Sequence, residues 1–321
     1  RGLGDVYKRQ FLFTCYSFVP EHGKIGTDPG MDVGDEVWYY SDNSADYSNK
    51  TTFWIAKGMQ NSNEPLVDYW NGTQWGKAMF VGIRDCNVFI ENIEKVPDLS
   101  AYDKETWKAE AKVLKAFYHF WMMRMYGPIP IIKENIPVSA GEDEVRVVRD
   151  KIDDIVTYIV SLIDESVEYL PLNIQNEAAE MGRITRPAAK AIKAKILAFA
   201  ASPFFNGNLD YANFKNAEGE PFFNQVYDNE KWTKAADACL EAIQCAEEAG
   251  HGLYEFVNMS STQLSDETIL SLSNRCKVTE RWNKELVWGC GQSGIRDLQV
   301  LCQPWLESNY SSDDRYHNAR N

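Results

Sequence analysis

The 321-residue chain has no run of Lys or Arg, and its 47 acidic residues outnumber its 33 basic ones to leave a formal net charge of −14. Phosphate backbones are held by a basic stripe, so a nucleic-acid partner is excluded. The same acidity disfavours docking by charge onto an anionic lipid surface. No stretch of about 18 uninterrupted apolar residues is present, so no membrane-spanning helix is expected. The seven cysteines form no C-x-x-C pair and none of the four histidines lies within four residues of a cysteine, so no structural metal site is expected. Buried free thiols behaving as small apolar groups are the simplest reading. There is no G-x-S-x-G string to present a nucleophile. The chain also lacks an initiator Met and a signal peptide, and SSDDRYHNARN closes it without a terminating element; both ends are therefore expected to be cut.

Aromatic rings are what the sequence has in plenty: 10 Trp, 16 Tyr and 15 Phe, more Trp than a core of this size needs. Surplus rings often line ligand sites. Many fall in residues 20–75, which lack a sustained period and are rich in Gly, Asp, Asn and Ser. Structureless stretches of that length are functional or disordered, and so many aromatics argue against disorder.

Elsewhere the helical period dominates. Phe80 to Glu94 repeat at helical spacing up to Pro97. Trp107, Ala111, Leu114, Tyr118, Trp121 and Met125 form a longer seam that Gly127-Pro128 ends. Val145, Val148, Ile152, Ile155, Ile159, Leu162 and Val167 predict a third helix, stopped by Pro171. Thr185 is an N-cap candidate with Pro187 in the first turn, and the alanine-rich helix behind it closes at Ser202-Pro203. Trp232, Ala235, Cys239, Ile243 and Ala246 mark a further helix ending at Gly250, and Glu285 to Trp288 is a short strand candidate. The fold class is therefore all-α with minor β, built as helix hairpins stacked into an α-solenoid, the pairing being inferred from short loops. The chain divides into a foreign or frayed segment (1–10) and one domain (11–321). That domain comprises an aromatic loop region (20–75), a helical repeat core (76–250) and a loop-rich part (251–321).

Enzyme-like strings are few. Gly289-Cys290-Gly291-Gln292-Ser293-Gly294 matches a dinucleotide fingerprint, but that motif needs alternating strands and helices. Of the paired carboxylates, Asp153-Asp154 and Glu247-Glu248 read as solvated helix faces. Asp35-Glu36 lies in the aromatic region and is the pair a glycoside hydrolase could use. His119 reads as a core or interfacial histidine. The rings offer more: a sugar lays its C–H face on Trp or Tyr, at about 0.5–1.5 kcal/mol per stacked contact beyond area burial, while Asn and Asp satisfy hydroxyls. Trp38, Tyr40, Trp70 and Trp75 are candidate platforms with Asn71 as hydroxyl partner; Trp305 and Tyr310 are further candidates.

Two long motifs resemble the SusD/RagB-like family. Glu110 to Ile132, EAKVLKAFYHFWMMRMYGPIPII, is similar to one hallmark. Gly182 to Gly207, GRITRPAAKAIKAKILAFAASPFFNG, is similar to the second. Gly34 to Trp38 (GDEVW), Cys86-Asn87 with Phe89, and Asn283 to Gly289 (NKELVWG) follow the family order. The resemblance implies a tetratricopeptide-like scaffold whose loops bind oligosaccharide or polysaccharide, without catalysis and without a cofactor. It further implies a lipid-anchored place on the outer face of a Bacteroidetes-type outer membrane, and a SusC-like TonB-dependent transporter as partner in nutrient uptake. The lipid-bearing Cys is not expected to be Cys15, which lies within an apolar helix, and the family's C-terminal portion is expected to lie largely beyond this sequence. The alternatives are a helical-repeat module that binds only protein, and a hydrolase acting through Asp35 or Glu36.

Overall fold

The computed structural model describes residues 3–21, 28–34, 51–259 and 261–290. In chain order its α-helices are α1 (Leu3–Tyr16), α2 (Pro29–Asp32), α3 (Thr51–Ala56), α4 (Met79–Asn92), α5 (Ala101–Tyr126), α6 (Glu142–Val145), α7 (Ile152–Asp164), α8 (Glu177–Glu180), α9 (Arg186–Ala201), α10 (Glu230–Glu248) and α11 (Asp266–Thr279). Among the described residues strand pairing is limited to isolated bridges, so the fold is helix-dominated as expected. The chain forms two compact units, one of Arg1–Phe18 with Met79–Cys290 and one of Val19–Ala78 with Gly291–Asn321.

The first unit is organised around α5. Ser100 caps it by accepting the Asp103 N–H, and Gly127, at φ 71°, ends it. Every side chain from Val113 to Met123 is buried, because α1, α4, α7 and α9 all pack on it. The seam read from the sequence is thus one side of a helix that is covered all round. Thr185 caps α9 by accepting the Ala188 N–H, with Pro187 in the first turn. The small side chains Ala194, Ala238 and Ala242 then let α9 and α10 approach closely, with Leu197 against them.

A buried ion pair joins α5 to the turn before α9. Glu110 Oε1 lies 2.5 Å and Oε2 3.2 Å from the Arg183 guanidinium, a two-point contact. The Tyr16 hydroxyl of α1 donates to Glu110 Oε2 at 2.5 Å and accepts the Ile184 N–H at 2.8 Å. Arg183 also meets Glu180 at 3.0 Å, and Glu180 meets Arg9 at 2.7 Å. Residues 3–10 form the start of α1, and Arg9 is engaged in this network. Burial pushes the Glu110 carboxyl above its ordinary value, and Arg183 and Tyr16 oppose that rise.

His119 is a core residue, as read. Its Nδ1 donates to Lys115 O at 2.8 Å and its Nε2 accepts the Ile132 N–H at 3.2 Å, so the ring is held neutral. Burial pulls its pKa down to about 4.

Several expectations are corrected. The third helix begins at Ile152, because Val145 and Val148 are exposed and 146–151 is not helical. On α10 the buried face is Ala235, Ala238, Ala242 and Cys245, and Trp232, Cys239 and Ile243 face solvent. Small residues there pack against the alanine-rich α9, so size selects the face over hydrophobicity. Residues 285–288 form no strand, and α11, which buries no side chain, carried no periodic signal. The paired helices α9 and α10 are joined by the long segment 202–229, not a short turn. Its own rings hold it: Tyr211 stacks on Phe223 at 4.8 Å and Phe205 stacks on Phe223 at 6.0 Å. Cys15, Cys86 and Cys245 are buried free thiols, while Cys239 and Cys290 are exposed.

Arg183→Met leaves the Glu110 carboxylate buried without its cation and is expected to cost about 3–5 kcal/mol in chemical denaturation. The double variant Arg183→Met, Glu110→Gln should recover much of that loss, and strictly additive losses would refute the pairing. For His119 the unfolded state binds the extra proton, so stability is complete above pH 6.5. It should fall by about 3 kcal/mol as the pH drops from 6.5 towards 4. His119→Gln should flatten that part of the stability–pH curve.

Candidate functional site

The second unit contains Trp70, Asn71 and Trp75, on a loop built around Asp68. Asp68 is buried, and its carboxylate accepts from four donors. Oδ1 takes the Trp70 and Asn71 N–H groups at 2.9 and 3.1 Å; Oδ2 takes Asn71 Nδ2 at 2.8 Å and the Thr73 hydroxyl at 3.2 Å. The Asp68 N–H bonds Thr73 O and the Gly72 N–H bonds Asp68 O, both at 3.0 Å. Upstream, Gln60 closes residues 60–66 by exchanging hydrogen bonds with both backbone groups of Leu66 at 2.7 and 2.9 Å. Burial alone pushes the Asp68 carboxyl up, and the hydrogen bonds overcome it to hold the pKa below the ordinary value. The group is thus an ionised acceptor that neither gives nor takes a proton near neutral pH.

The rings of this loop divide by position. Val67 and Tyr69 are buried and pin the loop, Trp70 is half-buried, and Trp75 is 57% exposed. Gln74 and Trp75 sit at φ 51° and 72°. A bulky residue in the left-handed region costs on the order of 1–3 kcal/mol. Gly76 follows because a Cβ there would lie 2.2 Å from the Asp68 carbonyl oxygen. An indole is thereby held outward at a backbone angle that the Asp68 hydrogen bonds and the Gly76 approach dictate.

Asn71 is exposed but its amide donates within the loop, so it supports the turn from which it was read as a hydroxyl partner. Asp68 escaped the sequence reading, although Asp followed by Asn-Gly at the third and fourth positions is a turn signal. Trp38, Tyr40, Trp305, Tyr310 and the Asp35-Glu36 pair lie outside the described residues. Asp154 and Glu247-Glu248 are exposed, as read for solvated faces, but Asp153 is half-buried and paired with Lys231 at 2.5 Å. Among the described residues no three His, Cys, Asp or Glu side chains gather as a metal-ligand set, and no helix is long and apolar enough to cross a membrane.

Asp68→Ala should release the loop: exchange of the Trp70 and Asn71 amides should quicken by about tenfold or more. Amides of α5 should be unaffected. Unchanged exchange at 70 and 71 would show that the carboxylate does not hold the turn.

Comparison with known proteins agrees with the helical scaffold. A family model described as "Starch-binding associating with outer membrane", SusD-like, matches residues 25–197. A SusD-like protein of Bacteroides ovatus is 31% identical over 99 residues, which are 31% of this chain and 16% of that protein. The solved structure of BT4246 superposes with a TM-score of 0.72 at 28% identity, covering 90% of this chain and 50% of that one. A SusD-like protein from Bacteroides fragilis shares the fold, with a TM-score of 0.54 at 16% identity over 78% of this chain and 39% of that one. The chain spans half or less of the length of these relatives. With more than half of its residues matched by the family model, and with both long motifs meeting at the Glu110–Arg183 pair, this chain belongs to the SusD-like family.

Proposed function

We propose that this chain is the helical part of a cell-surface glycan-capturing protein, which binds oligosaccharide or polysaccharide and hands it to a SusC-like TonB-dependent transporter in the outer membrane. The observation that carries the reading is the outward Trp75 indole, fixed at a positive φ by a loop stitched around Asp68. A loop backbone already fixed loses little freedom on binding, so a sugar face stacked on this indole gains more than it would on a mobile loop. The half-buried Trp70 supplies a second apolar surface. Trp38, Tyr40, Trp305 and Tyr310 are the further candidate contacts in this proposal, and Asn71 serves the turn first.

Family membership supports the glycan as ligand class, since the matching model is described by starch binding and outer-membrane association. The proposed position is the outer face of the outer membrane, held by a lipid anchor. The proposed role breaks no bond. Asp68, the carboxylate within the described loop, is committed to its four donors and held ionised, which suits a scaffold and not an acid or base.

Affinity electrophoresis against soluble polysaccharides tests capture. Retardation by one or two of them is expected, and Trp75→Ala should weaken it by about threefold to tenfold with the fold intact. Retardation by none, or a Trp75→Ala chain that binds as well as the parent, would contradict the reading. Labelled oligosaccharide should be recovered uncleaved; steady product release abolished by Glu36→Gln would establish a hydrolase.

A further inference from the structure

The first unit holds a cavity of about 440 Å³ at the turn before α9, the end of α10 and the segment 282–289. Ligand sites run from about 300 to 1,000 Å³, so this volume suits a ligand at the small end of that range. Two of its walls are tryptophans, and they are held differently. Trp288 is fixed: its Nε1–H donates to Gly182 O at 3.0 Å and its ring meets Phe117 edge-on at 5.5 Å. Trp282 is half-buried on a strained backbone, φ 55°, with the Arg281 guanidinium over its ring at 5.9 Å from the centroid. Gly182, at φ 97°, lets the backbones close up, since a Cβ there would lie 3.1 Å from Gly289 O and 3.6 Å from the Trp282 ring.

The polar groups of the cavity favour a neutral ligand. The Arg183 charge is spent on Glu110 and Glu180. Glu177 and Lys284, both exposed, are of opposite sign. His251 shares a hydrogen bond of 3.0 Å between Nδ1 and Lys284 O, which places its proton on Nδ1 and makes Nε2 an acceptor for a hydroxyl. An indole face, a ring-nitrogen acceptor and a compensated charge set are the chemistry that recognises an uncharged sugar.

We propose that this cavity is a second saccharide site, taking one or two neutral sugar rings with Trp282 as the stacking platform and His251 Nε2 as a hydroxyl acceptor. It rests on the reading of the chain as a glycan-capturing protein but involves none of the residues of the Asp68 loop. The test is a fluorescence titration of the chain with glucose, galactose, mannose, N-acetylglucosamine, maltose and cellobiose. At least one should bind, and Trp282→Gly, which removes the ring while easing the positive φ, should weaken it by about threefold to tenfold. Trp75→Ala should leave this binding unchanged while weakening polysaccharide retardation. If Trp282→Gly does not fold, the Trp282 indole resonance of the parent chain decides: it should shift on titration, and a stationary resonance overturns the proposal. Binding by none of the six sugars, or equal binding by Trp282→Gly, also overturns it. Retardation by polysaccharide would survive either result, so failure of this site is distinguishable from failure of glycan capture.

Discussion

The contact on which the helical unit depends is the buried pair of Glu110 and Arg183. A carboxylate inside a helical core is costly unless its charge and its lone pairs are both met. Here the guanidinium supplies two donors, the Tyr16 hydroxyl a third, and the Ile184 N–H completes Tyr16 in turn. Three segments distant in sequence (α1, α5 and the turn entering α9) are thereby brought into one register. Apolar packing of α5 supplies most of the burial, but packing alone does not choose among the sliding positions available to a helix covered on all sides. The polar network does, and it accounts for why both long motifs begin where they do, with Glu110 in one and Gly182-Arg183 in the other.

The same economy shapes the loop of the second unit. A single carboxylate, Asp68, satisfies four donors and so fixes a turn that local propensity would not hold, with Gln74 and Trp75 at positive φ. In each unit a buried acid is used as an organiser of backbone and not as a reacting group. Backbone strain falls at Val67, Gln74 and Trp75 in the loop of the second unit and at Trp282 in the first.

Legibility from sequence followed the physical signals. The helices α5 and α9 are readable because a clear period, a capping Ser or Thr and a terminating Gly or Pro coincide there, whereas α4 is readable from its period alone. The face of α10 was misread because burial against α9 selects Ala238 and Ala242 for their size, whereas a hydrophobicity pattern weights Trp232 and Ile243. The start of α7 was placed too early because exposed Val145 and Val148 happen to continue its spacing, and α11 was missed because it has no buried face to write a period. At the site, Trp70, Asn71 and Trp75 were named from residue type. Asp68 and the strain at Trp75 depend on contacts that no single-residue preference records, and neither does the role of Asn71 inside the turn.

The most direct measurement of the central claim is oxidative footprinting of the tryptophans, read by mass spectrometry with and without a polysaccharide that retards the chain. Trp232, similarly exposed on α10, serves as the internal reference. Protection of Trp75, with Trp232 oxidised as before, is the result that capture on the Asp68 loop predicts. Equal oxidation of Trp75 in bound and free chain would contradict it and move glycan binding away from that loop.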